Sequence, residues 1–66
     1  MAKVGDKVVA IFQARKGEVT VTGTIASFWN GGVEVTFDHP VEYAPGLEPR
    51  DGAWYRADQR WMVRAA

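Results

Sequence analysis

Apolar and polar positions alternate through most of the first two thirds of the chain. The runs "KVVAIF" and "VTVTGTIASFW" are rich in Val, Ile, Thr and Phe, which suit a pleated, half-buried surface. They predict strands near residues 6–13 and 19–29, with a loop or hairpin end at Lys16-Gly17 between them. In the second run Val19, Val21 and Ile25 share one face and Thr20, Thr22 and Thr24 the other. Beyond Ile25 the phase slips, because Ala26 and Phe28 fall on the threonine face. A bulge or bend between Ile25 and Ser27 restores the inward direction. In "FWNGGVEVTF" the pair Asn30-Gly31 is the signature of a type I′ hairpin, whose two central residues both need positive φ. The next strand, near 33–38, turns Val33, Val35 and Phe37 to one face and Glu34 and Thr36 to the other. It is expected to end at Asp38-His39-Pro40, since Pro40 cannot donate to a ladder.

The pattern then changes. "HPVEYAPGLEPRDG" holds every proline in the chain, so Pro40 to Gly52 reads as one loop, longer than the usual roughly 4 to 6 residues. Tyr43 and Leu47 are its candidate anchors. The tail "AWYRADQRWMVRAA" supports two readings. As a helix it places Trp54 and Trp61 on one face and Arg56, Arg60 and Arg64 in a stripe on another, with Asp51 as N-cap. As strand, turn, strand it covers about 53–56 and 60–64, with "RADQ" a single tight turn and Trp61 and Val63 inward. Periodicity does not choose between them.

Composition narrows the classes. A chain of 66 residues makes one domain, 1–66, which buries roughly 60% of the surface its unfolded chain exposes. It has no cysteine, which excludes a disulfide framework or thiolate metal site. "MAKVGDKVVA" has no signal-peptide core and no segment approaches the roughly 20 apolar residues of a membrane span, so the expectation is a soluble, cytoplasmic protein. Net charge is zero, with 8 basic and 8 acidic residues, which weakens the electrostatic case for nucleic acid. The charges are unevenly placed, however. Asp38, Glu42, Glu48 and Asp51 face only Arg50, whereas Arg56, Arg60 and Arg64 face only Asp58.

The order of "VGDKVVA", "GTIASF", the "NGG" hairpin into "VEVTFD" and the closing "WYRADQRWMV" resembles that of small SH3-like barrels, including Tudor-like and KOW-type domains. The resemblance covers nearly the whole chain. It implies an all-β fold, a single five-stranded SH3-like barrel with one long proline-containing loop and a 3₁₀ turn before the last strand, and it favours the strand, turn, strand reading of the tail. In such a barrel Trp61 and Trp54 are expected in the core, since few other large apolar residues are present to build one. Trp29 and Tyr55 are then the aromatics expected to be partly exposed. Barrels of this small, unaccompanied kind also resemble proteins carried by phages and mobile elements.

Chemistry-bearing clusters are sparse. His39 is the only histidine, so no two-histidine metal site exists, and the Asp38-His39 pair reads as the end of a strand. No catalytic residue, metal or cofactor is expected. Plasmid-borne type II dihydrofolate reductases are similar in "GDKV", "GTIASFW" and the "HP" after the third strand. Their pore segment Val-Gln-Ile-Tyr best matches "GAWY", which has Ala53 in place of the glutamine, so reductase activity is not implied. A Tudor-like cage would draw on Trp29, Phe37, Tyr43 and Tyr55 with Asp38, although His39 replaces the tyrosine usual after that aspartate. The expected function is a non-enzymatic binding module. Its partner is another protein or a second copy of itself, met by the Pro40–Gly52 loop and the hairpin tip through Trp29, Asn30, Tyr43, Leu47, Arg50 and Tyr55. A second reading, of KOW type, assigns nucleic-acid contacts to Arg56, Arg60, Arg64 and Lys16.

Overall fold

The structure, a computed structural model, describes residues 2–66. Strands β1 (Lys7–Ala14), β2 (Gly17–Trp29), β3 (Gly32–Val41) and β4 (Arg50–Tyr55) are followed by a 3₁₀ helix, η1 (Ala57–Met62), and by β5 (Val63–Ala65). All pairings are antiparallel, and the strands form one sheet in the order β4-β3-β2-β1-β5. The alternation of the sequence becomes the two faces of this sheet. Val8, Ala10 and Phe12 of β1, Val21 and Ile25 of β2, and Val33, Val35 and Phe37 of β3 are buried together. Phe12 meets Phe37 edge-on, with ring centroids 5.5 Å apart.

The expected bulge lies where the hydrophobic phase slipped. The β2–β3 register shifts between Ile25 and Ser27, so that Ile25 faces Val35, Ser27 faces Glu34 and Phe28 faces Val33. The hairpin turn has Asn30 at φ 51° and Gly31 at φ 78°, as a type I′ turn requires.

The tail and the loop depart from expectation in four respects. First, β3 continues through Pro40 to Val41. The β3–β4 register is interrupted between Thr36 and Val41, so Pro40 occupies a stretch where no ladder bond needs its missing N–H. Second, β4 begins at Arg50, which leaves a connection of residues 42–49 that is shorter than the expected loop. Val41 and Ala44 anchor it through burial, while the Arg15 N–H donates to the Tyr43 carbonyl at 2.9 Å. Tyr43 packs on Phe12 at 5.9 Å but stays partly exposed, and Leu47 is exposed. Third, the turn before β5 is a full six-residue helix. Its start is tied by Gln59, whose N–H donates to the Arg56 carbonyl while its Oε1 accepts from the Arg56 N–H. Three residues per turn change the inward phase: Met62 enters the core and Trp61 is 66% exposed. Fourth, Tyr55 is the buried aromatic of the tail at 4% exposure, its hydroxyl donating to the Ile11 carbonyl at 2.9 Å, whereas Trp54 is half-buried on the other face of β4.

Candidate functional site

The bulge and the hairpin turn together organise one end of the sheet. Because Ala26 is the extra residue, Ser27 turns to the outer face beside Glu34 and Phe28 turns to the inner face beside Val33. On the outer face, Gly32 leaves the β3 backbone bare. A Cβ at Gly32 would collide with the Tyr55 carbonyl and lie 2.6 Å from the Trp54 ring, so only glycine allows Trp54 to lie flat there. The Trp54 indole then donates to the Trp29 carbonyl at 3.2 Å. Trp29 packs on Trp54 with ring centroids 5.4 Å apart and planes inclined by 35°. Its own indole N–H donates to Glu34 Oε1 at 2.9 Å, an oxygen that also accepts from the Ser27 hydroxyl at 3.1 Å. Two contacts thus hold an indole that remains 52% exposed. Its orientation is fixed by the Glu34 hydrogen bond and the Trp54 ring, and its other face is open.

On the inner face of the same end, a cleft of about 340 Å³ is lined by Phe28, Trp29, Gly31, Gly32, Val33 and Arg60. Phe28 points inward as its register dictates, yet it is 48% exposed, because the core stops short of it. Arg60 comes from η1. Among the described residues two ion pairs form, Lys7 with Asp38 at 2.8 Å and Arg56 with Asp58 at 3.2 Å, so Arg60 presents its guanidinium without an acidic partner. The Lys7 hydrogen bond, helped by one from Thr22, holds the Asp38 carboxyl below its ordinary value. This end can therefore offer aromatic faces, a free cation and, on the outer side, a carboxylate already engaged with an indole.

The expected site residues separate into groups. Trp29 and Asn30 lie at the tip, and Arg60 joins them. Tyr55 is interior and presents no surface to a partner, because Trp54 takes the outward position on β4 and Tyr55 the inward one. Tyr43 and Lys16 line a separate cleft of about 320 Å³ against Val19 and Pro45 at the β1–β2 turn. Leu47 and Arg50 are exposed at and beyond the connection that closes over it. The connection and the hairpin tip are thus at opposite ends of β2 and form two surfaces. Arg56 is tied to Asp58, and Arg64, opposite Val9 in the β1–β5 register, points to the outer face of the sheet beside Ile11, Thr20 and Trp61. The aromatic set of a Tudor-like cage does not converge either, since Phe37 and Tyr55 are buried and Tyr43 sits at the far end. Ala53, in the segment compared with the reductase pore, is half-buried and packs against the core. Sequence reasoning missed Phe28, Glu34 and Trp54 as members of the tip. The signal for Trp54 was Gly32, the second glycine of the turn, which a two-residue hairpin does not need.

No family model, curated protein or solved structure matches the chain. Among the described residues no group of three or more His, Cys, Asp or Glu side chains is placed to hold a metal ion. No helix among them is long and apolar enough to cross a membrane.

Proposed function

We propose that the protein is a non-enzymatic binding module built on an SH3-like barrel, and that its hairpin-tip end holds single-stranded nucleic acid. For the barrel, the support is the strand order with β5 against β1, together with η1, which touches β1, β3, β4 and β5 and so links the two edges of the sheet. For the ligand, the carrying observation is that Trp29, Phe28 and the unpaired Arg60 meet at one end, two stacking faces beside one phosphate-seeking cation. Bases stack on aromatic side chains with little regard to sequence, and a guanidinium meets phosphate oxygens bidentately. Single strands leave their base faces free for this, whereas duplex bases are already stacked. The protein-partner reading joined the Pro40–Gly52 loop and the hairpin tip into one surface. The tip and the connection lie at opposite ends of β2, which favours a ligand held by the tip alone.

The test is intrinsic tryptophan fluorescence during titration with short mixed-sequence DNA and RNA strands at low and then moderate salt. Quenching that weakens as salt rises is the expected result, because phosphate contacts release counterions. Absence of quenching at both salts sinks the proposal and directs attention to a protein partner or a second copy of the chain.

A further inference from the structure

Glu34 meets the edge of the Trp29 indole with only part of its carboxylate. Its Oε1 accepts from the Trp29 indole N–H at 2.9 Å and from the Ser27 hydroxyl at 3.1 Å, a donor for each of its lone pairs. Oε2 is left over. No hydrogen bond or ion pair among the described residues reaches it, since the two ion pairs join Lys7 to Asp38 and Arg56 to Asp58. The sheet holds the group in place: Ser27 lies opposite Glu34 across the β2–β3 ladder because of the bulge at Ala26, and Trp54 lies opposite Glu34 across the β3–β4 ladder. A half-buried carboxylate, fixed through one oxygen, therefore presents the other beside an indole whose outer face is open.

Resting on the nucleic-acid reading above, we infer that Glu34 selects the base that stacks on Trp29, favouring cytosine over thymine or uracil. An ionised carboxylate can only accept hydrogen bonds. Cytosine offers it the exocyclic amino group at N4, whereas thymine and uracil carry a carbonyl oxygen at the same place, which a carboxylate repels. The amino groups of adenine and guanine can make the same contact, so the discrimination is against the keto pyrimidines. Single strands leave these edges free to be read while the base face is stacked. Stacking on Trp29 and the charge of Arg60 then supply affinity without regard to sequence, and Glu34 supplies the preference.

Oligodeoxycytidylate and oligothymidylate strands of about eight nucleotides, competed against one labelled strand at neutral pH and low salt, test this. Both are pyrimidine strands with the same phosphates, so the Arg60 contact and any repulsion between Glu34 and the backbone cancel in the ratio of their dissociation constants. The native chain is expected to favour oligodeoxycytidylate by roughly tenfold, the low end for a hydrogen bond to a charged group. Glu34→Gln reverses the preference, because its amide oxygen stays with the Trp29 and Ser27 donors and its amide nitrogen then donates to the thymine O4. Glu34→Ala removes the preference. A carboxylate that merely holds Trp29 in place would, when changed to Gln, weaken both strands alike and reverse nothing. Equal affinity of the native chain for the two strands, or an unchanged ratio in Glu34→Gln, overturns base selection and leaves the tip reading standing. If the native chain binds neither strand, both fall. Circular dichroism of each variant verifies that the sheet is retained.

Discussion

Tyr55 shows how a single side chain links the core to solvent conditions. Burial pushes its hydroxyl up to about 12, from 10.0, because the phenolate would be left in an apolar interior while the neutral hydroxyl donates to the Ile11 carbonyl. In the unfolded chain the group ionises near its ordinary value. The contribution of the neutral, hydrogen-bonded form is therefore complete below pH of about 10 and is lost as pH rises toward about 12. A shift of that size corresponds to a ceiling of roughly 2 to 3 kcal/mol. Urea denaturation at a series of pH values from about 9 to 12 should show stability falling over this window. Tyr55→Phe should be less stable at neutral pH by about 1 kcal/mol, the net worth of the hydrogen bond, and should lack that part of the fall. An identical alkaline profile in the variant would show that Tyr55 is not the group responsible. Asp38 works in the opposite sense. Its carboxyl is lowered, first by the Lys7 hydrogen bond, so the stability from this pair is present above the ordinary carboxylate value and fades as pH falls through the depressed one.

At the scale of elements, η1 decides which aromatic residues form the core and which remain for contact. Met62 is 7% exposed and Trp61 lies outside, so truncation should have unequal effects. Met62→Ala is expected to cost about 2 to 5 kcal/mol, and Trp61→Ala to stay within about 0.5 kcal/mol, both measured by denaturant midpoint. The reverse order would mean that the tail is a strand with Trp61 inward. The difference between the two readings also explains what could be read from the sequence. The bulge at Ile25–Ser27 and the Asn30-Gly31 turn were legible because each breaks or closes a period-two pattern that only one backbone geometry satisfies. The tail was not legible to the same degree. A strand of three residues and a helix of six leave too few positions for any period to repeat, and indole size pointed to the core when the 3₁₀ phase selected a methionine. The tip was half legible for a related reason. Trp29 could be placed from its neighbour Asn30, but Arg60 reaches the cleft through tertiary packing, which local spacing does not encode.

For the whole molecule, the small core and the proposed tip site are thermodynamically coupled. The tip cleft is walled by β2 and β3 on one side and by Arg60 of η1 on the other. A strand lying in it therefore bridges segments that are far apart in sequence and that come together only in the folded sheet. Such a ligand binds the folded state and not the unfolded chain, so it must raise stability by mass action. At a free concentration of about 100 times the dissociation constant, the gain is about 2.7 kcal/mol. In a domain of this size each kcal/mol moves the melting temperature by about 4 to 8 °C, which gives roughly 10 to 20 °C. Salt supplies the control. One phosphate contact, at Arg60, implies an affinity about 2.6-fold weaker after a fourfold rise in salt, which at fixed ligand removes about 0.6 kcal/mol of that gain. Thermal melts of the native chain with and without oligothymidylate, at low and moderate salt, should show a shift that shrinks by this fraction. Met62→Ala, with less stability of its own, should show the ligand effect most plainly, passing from a largely unfolded to a largely folded population on addition of the strand. A melting temperature unmoved by saturating ligand would mean that whatever contact is made at Trp29 does not engage the η1 wall, and the tip cleft would lose its claim to be the binding surface.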